Sequence, residues 1–415
     1  MNRAKRVRSK RCGSALLLVV FAVVVLTITG AGLLEVGLKS RVLAIRTAQK
    51  MAARCAADAG LTKAIYVINE NLTRKVWSDD APPAAINEAL FNCDATFSYK
   101  VGMQSKNTCM VRSMGNSGPA MEQVYAVLRL KGLFEDAIFV KEQLILKSDT
   151  VVDGFNSLDA SDTDVNAKIG TMSTAAGRII LNPNCTVKGE VVVGVDGDPA
   201  TVIKDLGATT GERYAMEQEQ EFPEVVPPPL PDKGGISLAG KTLTIGPASS
   251  GRYIGISVLQ ESLKVKSLVT TTAGILVVDG GDVVLHVTGD IWFGNSCEIV
   301  IRPGASLTIY ADGNITFGND GGVDNQTGIA GNFKLYGTGL PVQDWDLKAK
   351  SESFGAIYAP NADIIVRAKG DIGSSIVCNN FEFKSGGNFH YDKALADVST
   401  ADEGVQFVMK YWTED

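Results

Sequence analysis

Leu285-His286-Val287-Thr288-Gly289-Asp290-Ile291-Trp292-Phe293-Gly294-Asn295 reads against Ile309-Tyr310-Ala311-Asp312-Gly313-Asn314-Ile315-Thr316-Phe317-Gly318-Asn319 at a constant offset of 24, with Gly, Ile, Phe, Gly and Asn matched. Short β-branched and aromatic runs divided by Gly, Asn and Asp at a fixed interval suit layers of strands stacked one on the next. Each layer then buries its inward Ile, Val and Phe only against the layers above and below. Gly and Asn serve the corners because they tolerate left-handed backbone. A second near-repeat sets Phe354-Gly355-Ala356-Ile357 against Ile372-Gly373-Ser374-Ser375-Ile376, offset 18 or 19, and an earlier layer is visible in Gly177–Leu181 and Val187–Gly194. The pattern predicts a right-handed β-solenoid (parallel β-helix) over residues 151–395. A β-sandwich is the alternative, but its strands would not repeat at a fixed offset with matched turn residues.

Within that stretch, residues 222–233 hold Pro223, Pro227, Pro228, Pro229 and Pro231. This reads as a polyproline excursion leaving the solenoid and returning, or as a linker between two sections. Upstream, residues 76–150 alternate in the manner of an antiparallel sheet. Val124, Ala126, Leu128 and Leu130 fall on one face, Phe97–Met103 and Met110–Ser113 are earlier strands, and Phe134–Lys147 is expected as a further one. Residues 396–415 are left as a C-terminal tail.

The N-terminus differs in kind. Arg3, Lys5, Arg6, Arg8, Lys10 and Arg11 precede an unbroken apolar run from Ala15 to Leu34. About twenty apolar residues at ~1.5 Å each cover a ~30 Å hydrocarbon core, so residues 14–34 read as a single membrane span that begins a longer helix, the alternatives being a plain one-span anchor and a cleaved secretory signal. The basic cluster holds its start in the cytoplasm and sends the rest outside. From residue 35 to 75 the helical period continues: Leu38, Val42, Ile45, Ala48, Ala52, Cys55, Ala59, Thr62 and Tyr66 share one stripe. Its small members Ala48, Ala52, Cys55 and Ala59 let another helix approach closely.

Lys10-Arg11-Cys12-Gly13-Ser14-Ala15-Leu16-Leu17-Leu18, followed by Ala52-Ala53-Arg54-Cys55-Ala56-Ala57-Asp58-Ala59-Gly60-Leu61, resembles the N-terminus of PilX-type minor pilins and of type II secretion pseudopilins. The resemblance covers roughly residues 1–75. It implies a leader, residues 1–13, cut between Gly13 and Ser14 by a prepilin peptidase, an inner-membrane location, and other pilins or pseudopilins as partners. The family usually carries Glu at the fifth mature position, where Leu18 stands here, a departure that suits either a subunit at the filament end or a protein that never enters a filament. The segment from Gly355-Ala356-Ile357-Tyr358-Ala359-Pro360-Asn361-Ala362 through Asn388-Phe389-His390-Tyr391-Asp392 is similar to β-helical domains of uncharacterised function attached to PilX-like N-termini. That likeness implies a two-part architecture and no activity.

The chain has 415 residues and a net charge of −6. Loss of the leader removes six of 40 basic residues and no acidic ones, leaving 34 against 46, a net of −12. This balance does not indicate a nucleic-acid partner. Of the seven cysteines, Cys93 and Cys109 lie 16 apart and are the candidate disulfide of an oxidising compartment. Asp320 and Asp324 within Asn319-Asp320-Gly321-Gly322-Val323-Asp324-Asn325 are a weak calcium candidate, and otherwise no cofactor or metal is expected. Catalysis is weighed against a structural role. A glycosidase needs two carboxylates ~5–9.5 Å apart. The offset of 24 lays Asp290 over Asn314 and Asp312 over Thr288, and only Asp363 with Glu382 would stack. His390-Tyr391-Asp392 reads as a cap on the last solenoid layer. The expectation is a non-enzymatic filament or surface protein serving pilus or secretion assembly or adhesion; the alternative is a membrane-anchored carbohydrate-active enzyme.

Overall fold

The computed structural model describes residues 14–163, 165–257, 273–340, 342–349, 353–368 and 371–414. The chain forms a long N-terminal helix followed by mostly β structure, in two compact units. One contains residues up to Arg129 together with Phe407 onward; the other is Leu130–Gln406.

In the first unit a single helix, α1, runs Ser14–Thr73 for 60 residues, about 90 Å at 1.5 Å per residue. It holds a segment long and apolar enough to cross a membrane. Its C-terminal half covers an antiparallel sheet of β1 (Ala84–Ala89), β2 (Thr96–Ser105), β3 (Thr108–Ser117), β4 (Ala120–Lys131) and β5 (Gln406–Glu414), arranged in that order. Ala53, Ala56, Ala57, Leu61, Ala64, Ile68 and Leu72 face the sheet and are buried. Steps of three and four keep them on one stripe. The contact is so close that a Cβ on Gly115 of β3 would lie 1.9 Å from the Ala53 carbonyl oxygen.

Two expectations are corrected here. The segment 396–415 is not a tail: β5 closes the edge of the sheet beside β4, with Phe407 buried and its backbone hydrogen-bonded in both directions to the Asn69 side chain, at 2.8 and 3.2 Å. The stretch Phe134–Lys147 does not belong to this sheet, so the head does not extend to residue 150. The Ile138–Leu146 strand lies in the second unit and is paired in parallel on both sides. Ile138, Phe139 and Val140 are all buried, and a run apolar on both faces suits a parallel strand covered on both sides rather than an alternating head strand.

The second unit is a stack of mostly parallel strands. Its registers reproduce the repeat: Leu285 lies opposite Ile309, Ile291 opposite Ile315 and Phe293 opposite Phe317. Gly318 sits over Gly294, and a Cβ there would lie 2.4 Å from the Gly294 carbonyl carbon, which accounts for the matched glycines. One continuous apolar core runs through the layers from Ala137 to Tyr391.

The order of the layers does not follow the order of the chain. The chain enters at Ile138–Leu146, in the middle of the stack, and builds outward through Ile169–Thr171, Val191–Val193 and Arg213–Ala215. It then crosses to the far end, at Gly251–Tyr253. From there it builds back through Asp282–Val287, Ser306–Ala311, Phe333–Gly337 and Ser353–Ala368 to Ile372–Phe383. That strand pairs with Ile138–Leu146, Ile376 opposite Ile138 and Phe383 opposite Leu146. Two sections built in opposite directions thus meet at a joint.

The proline segment makes the crossing. Nine strand-to-strand steps of ~4.8 Å separate Arg213–Ala215 from Gly251–Tyr253, about 43 Å. The 17 residues from Ala215 to Asp232 reach about 53 Å in polyproline geometry at ~3.1 Å each. Along the way Phe222 packs against Phe139 at 6.1 Å, the Tyr358 hydroxyl donates to the Pro223 carbonyl at 2.7 Å, and Val225 is buried beside Tyr310, Tyr336 and Tyr358. Asp232 then bridges in parallel to Arg252.

Candidate functional site

The features that sequence reasoning selected sort into a helix surface and a set of polar side chains in the stack. On the helix, Ser14 is the first residue of α1 and Gly13 lies outside the described residues. Every residue from Ala15 to Ala48 is exposed. In the small-residue stripe, Ala48 and Cys55 are exposed and Ala52 and Ala59 half-buried, whereas Ala53, Ala56, Ala57 and Ala64 carry the contact with the sheet. The head therefore uses the neighbouring stripe and leaves this one on the surface, where small side chains permit a second helix to come close. Gly115 of that contact was missed, and Gly60 was read only as a small residue beside the stripe. A Cβ on Gly60 would lie 2.3 Å from the Ser113 hydroxyl, and a glycine facing a small-residue helix was the available signal.

The expected Cys93–Cys109 disulfide is not formed; both are free thiols, Cys93 exposed and Cys109 buried. Register explains why. Cys109 lies opposite Met103 in the β2–β3 ladder, while Cys93 precedes Thr96 at the other end of β2. Seven strand steps of ~3.3 Å put about 23 Å between Thr96 and Met103, and three further residues cannot close that to the ~7 Å a disulfide allows. Burial pushes the Cys109 thiol up to about 12.

In the stack, Asp363 and Glu382 do not stack. A register shift between Ala359 and Asp363 shortens the offset from 19 to 17, so Asp363 lies opposite Asn380 and Glu382 opposite Ile365. Asp363 accepts from the amides of Asn379 at 2.8 Å and Asn380 at 2.7 Å, and Glu382 pairs with Lys384 at 3.2 Å. Asp290 sits over Asn314 as expected and accepts from its backbone N–H at 2.8 Å; Asn314 accepts in turn from Asp344 N–H at 2.8 Å. These are corner clamps between layers. Asp320 has φ of +57°, Asp324 accepts from Gln326 at 2.8 Å, and among the described residues no three His, Cys, Asp or Glu are placed to hold a metal ion.

His390-Tyr391-Asp392 does not cap an end of the stack; it lies at the joint between the two sections. His390 Nδ1 hydrogen-bonds Asp153, whose other oxygen pairs with Lys188 at 3.2 Å, and His390 Nε2 lies 3.7 Å from Asp371. The Tyr391 hydroxyl donates to the Phe134 carbonyl at 2.9 Å, and the fully buried Asp392 accepts from Ser157 N–H at 2.9 Å and Ala394 N–H at 3.1 Å. Nearby, burial raises the Asp136 carboxyl despite an ion pair to Lys168 at 2.7 Å. These groups hold the first section to the last, and of the two Asp392 oxygens Oδ1 accepts both hydrogen bonds while Oδ2 is buried without one among the described residues.

A family model described as a domain of unknown function (DUF7305) matches residues 265–398, the returning section of the stack. No curated protein matches the chain. Among solved structures, the competence-associated pilin ComZ from Thermus thermophilus is similar at 13% identity over 88% of this chain and 97% of that one, with a TM-score of 0.25. A TM-score that low does not place the two chains in one fold.

Proposed function

We propose that this chain is a type IV pilin-like subunit, a minor pilin or pseudopilin, that carries a β-solenoid as its head. The observation that carries the reading is the division of labour along α1. Its second half is fastened to an antiparallel sheet by small residues, while every residue of Ala15–Ala48, about 50 Å of helix, is exposed. Residues 14–34 anchor the protein in the inner membrane with the C-terminus outside. Removal of the leader by a prepilin peptidase after Gly13 frees the N-terminus, and the surface stripe Ala48, Ala52, Cys55 and Ala59 meets the helices of other pilins. Leu18 in place of the usual Glu suits a place at the filament end. The parallel registers, the offset of 24 and the single core support a right-handed solenoid that serves assembly or adhesion. We read it as non-catalytic, because Asp290 and Asp363 are engaged in layer-to-layer clamps and no carboxylate pair forms at Asp363 and Glu382. Mass spectrometry of the protein from the native envelope should find Ser14 as the first residue. Retention of Met1, or a cut near Gly32, sinks the pilin reading.

A further inference from the structure

Four strands on one face of the second unit share a pattern: Asp344-Trp345-Asp346-Leu347-Lys348, Asp363-Ile364-Ile365-Val366-Arg367, Asn380-Phe381-Glu382-Phe383-Lys384 and Gln143-Leu144-Ile145-Leu146-Lys147. They pair in parallel, first over first and last over last. Lys348 lies opposite Arg367, Lys384 N–H bonds to the Val366 carbonyl at 2.9 Å, and Lys147 N–H bonds to the Phe383 carbonyl at 3.2 Å. The second and fourth positions are buried in the core, so the fifth turns outward with the third. Lys348, Arg367, Lys384 and Lys147 therefore form one column over four consecutive layers, stepping ~4.8 Å each. The column crosses the joint, with Lys147 from the first section and three residues from the last. It stops at both ends, at Asn182 beyond Lys147, whose N–H bonds to the Leu146 carbonyl, and at Gly318 beyond Lys348.

Like charges directly opposite one another on adjacent strands are destabilising. On the outward row beside the column stand two carboxylates, Asp346 with Arg367 at 2.9 Å and Glu382 with Lys384 at 3.2 Å, and two half-buried isoleucines, Ile365 and Ile145. Four cations thus meet two acids on the adjoining row, with Asp344 and Asp363 one outward row further along the strands, on a chain whose net charge is −6. We propose that this column binds a linear anionic polysaccharide bearing a carboxylate on each sugar. Its charges repeat roughly once per layer step, and parallel strands hold the cations at fixed pitch, so little ordering is needed on binding. Ile365 and Ile145 offer an apolar surface for the faces of the rings. The same outward row continues to Trp292, two layers beyond Asp346 and 40% exposed, where a further ring can stack. A single-stranded nucleic acid fits less well, since its recognition uses successive aromatic platforms and this row supplies one. The proposal goes beyond the pilin reading and does not depend on filament assembly.

The test uses the full chain in detergent, with polygalacturonate as probe and neutral dextran and oligo-dT as comparisons. Lys147→Gln with Lys348→Gln should weaken polygalacturonate binding about three- to tenfold, as expected for losing two exposed charge contacts. Thermal stability should stay equal or rise, because like-charge neighbours are removed. Lys147→Arg with Lys348→Arg should keep the affinity, as should Lys106→Gln in the head sheet, and salt should weaken binding of all. No binding of polygalacturonate at low salt, equal binding by the Gln variant, loss in the Arg variant, or tighter binding of oligo-dT would each overturn the proposal.

Discussion

The two units solve the same problem, covering apolar strands, in opposite ways. In the head, a helix covers an antiparallel sheet whose first four strands follow one another through short turns. Specificity there lies in closeness, since Gly115 admits the helix backbone and nothing larger fits. In the stack, strands cover strands, and each inward side chain meets its counterpart one layer away. Specificity there lies in register, and one section must wait for the other before the joint at Ile138–Leu146 and Ile372–Phe383 can form. A close contact fails at a single atom, whereas a stack transmits an error mainly to adjacent layers.

That contrast can be broken most severely at Ala57, which is fully buried under β3. Ala57→Asp should unfold the head, because an unpaired carboxylate in that contact costs several kcal/mol and has no room. Ala48→Asp, on the exposed stripe, should leave the unfolding free energy of the head from urea titration within about 0.5 kcal/mol of the parent and, on the pilin reading, abolish assembly. If both variants fold equally well, the head contact is not the close one described.

In the stack, Trp345 is buried and its indole N–H reaches the Gly313 carbonyl at 3.4 Å. Trp345→Ala should cost about 3–5 kcal/mol. Hydrogen exchange should locate the loosening in the layers of Ser306–Ala311 and Ser353–Ala368, with the head amides unchanged. Uniform loosening of the whole chain would show that the two units do not fail separately.

The smallest effect concerns pH. Asp205 is held down to about 2 by the backbone N–H groups of Ala208 and Gly207 and by Arg213 at 2.7 Å. Its folded value lies below the ordinary ~3.9 of an unfolded aspartate. Its contribution is therefore present above about pH 4 and is lost as pH falls through about 2. Asp205→Asn should flatten that part of the acid limb by under about 1 kcal/mol. An unchanged limb between pH 4 and 2 counts against the assignment.

The parts legible in the sequence were those encoded locally. The offset of 24 appears directly as the register of Leu285 with Ile309, and the N-terminal period continues as one helix through Thr73. What could not be read was which layer lies next to which. A strand such as Ile138–Leu146 has the same pattern whether its neighbour is the next repeat or one more than 200 residues away. The strand at Gln406–Glu414 is apolar at Phe407, Val408, Met409, Tyr411 and Trp412 without alternation, and its partner β4 lies on the far side of the whole second unit in sequence. Which stripe of α1 meets the head could not be read, because the helix offers small residues on adjoining faces and only the position of Gly115 selects Ala53 and Ala57. The Asp363–Glu382 pairing failed on a two-residue change of register, which no repeat count contains.

The second unit is inserted between β4 and β5, strands that are neighbours in one sheet. Its polypeptide leaves the head and comes back to it. A protease that cuts once anywhere between Leu130 and Gln406 therefore sheds nothing. The upstream fragment remains covalently tied to α1. The downstream fragment keeps β5 in the head sheet, with Phe407 buried and fastened to Asn69, and keeps its layers interleaved with the upstream ones at the joint. Wherever proteases reach the chain, the insertion makes release of the large unit a two-cut event.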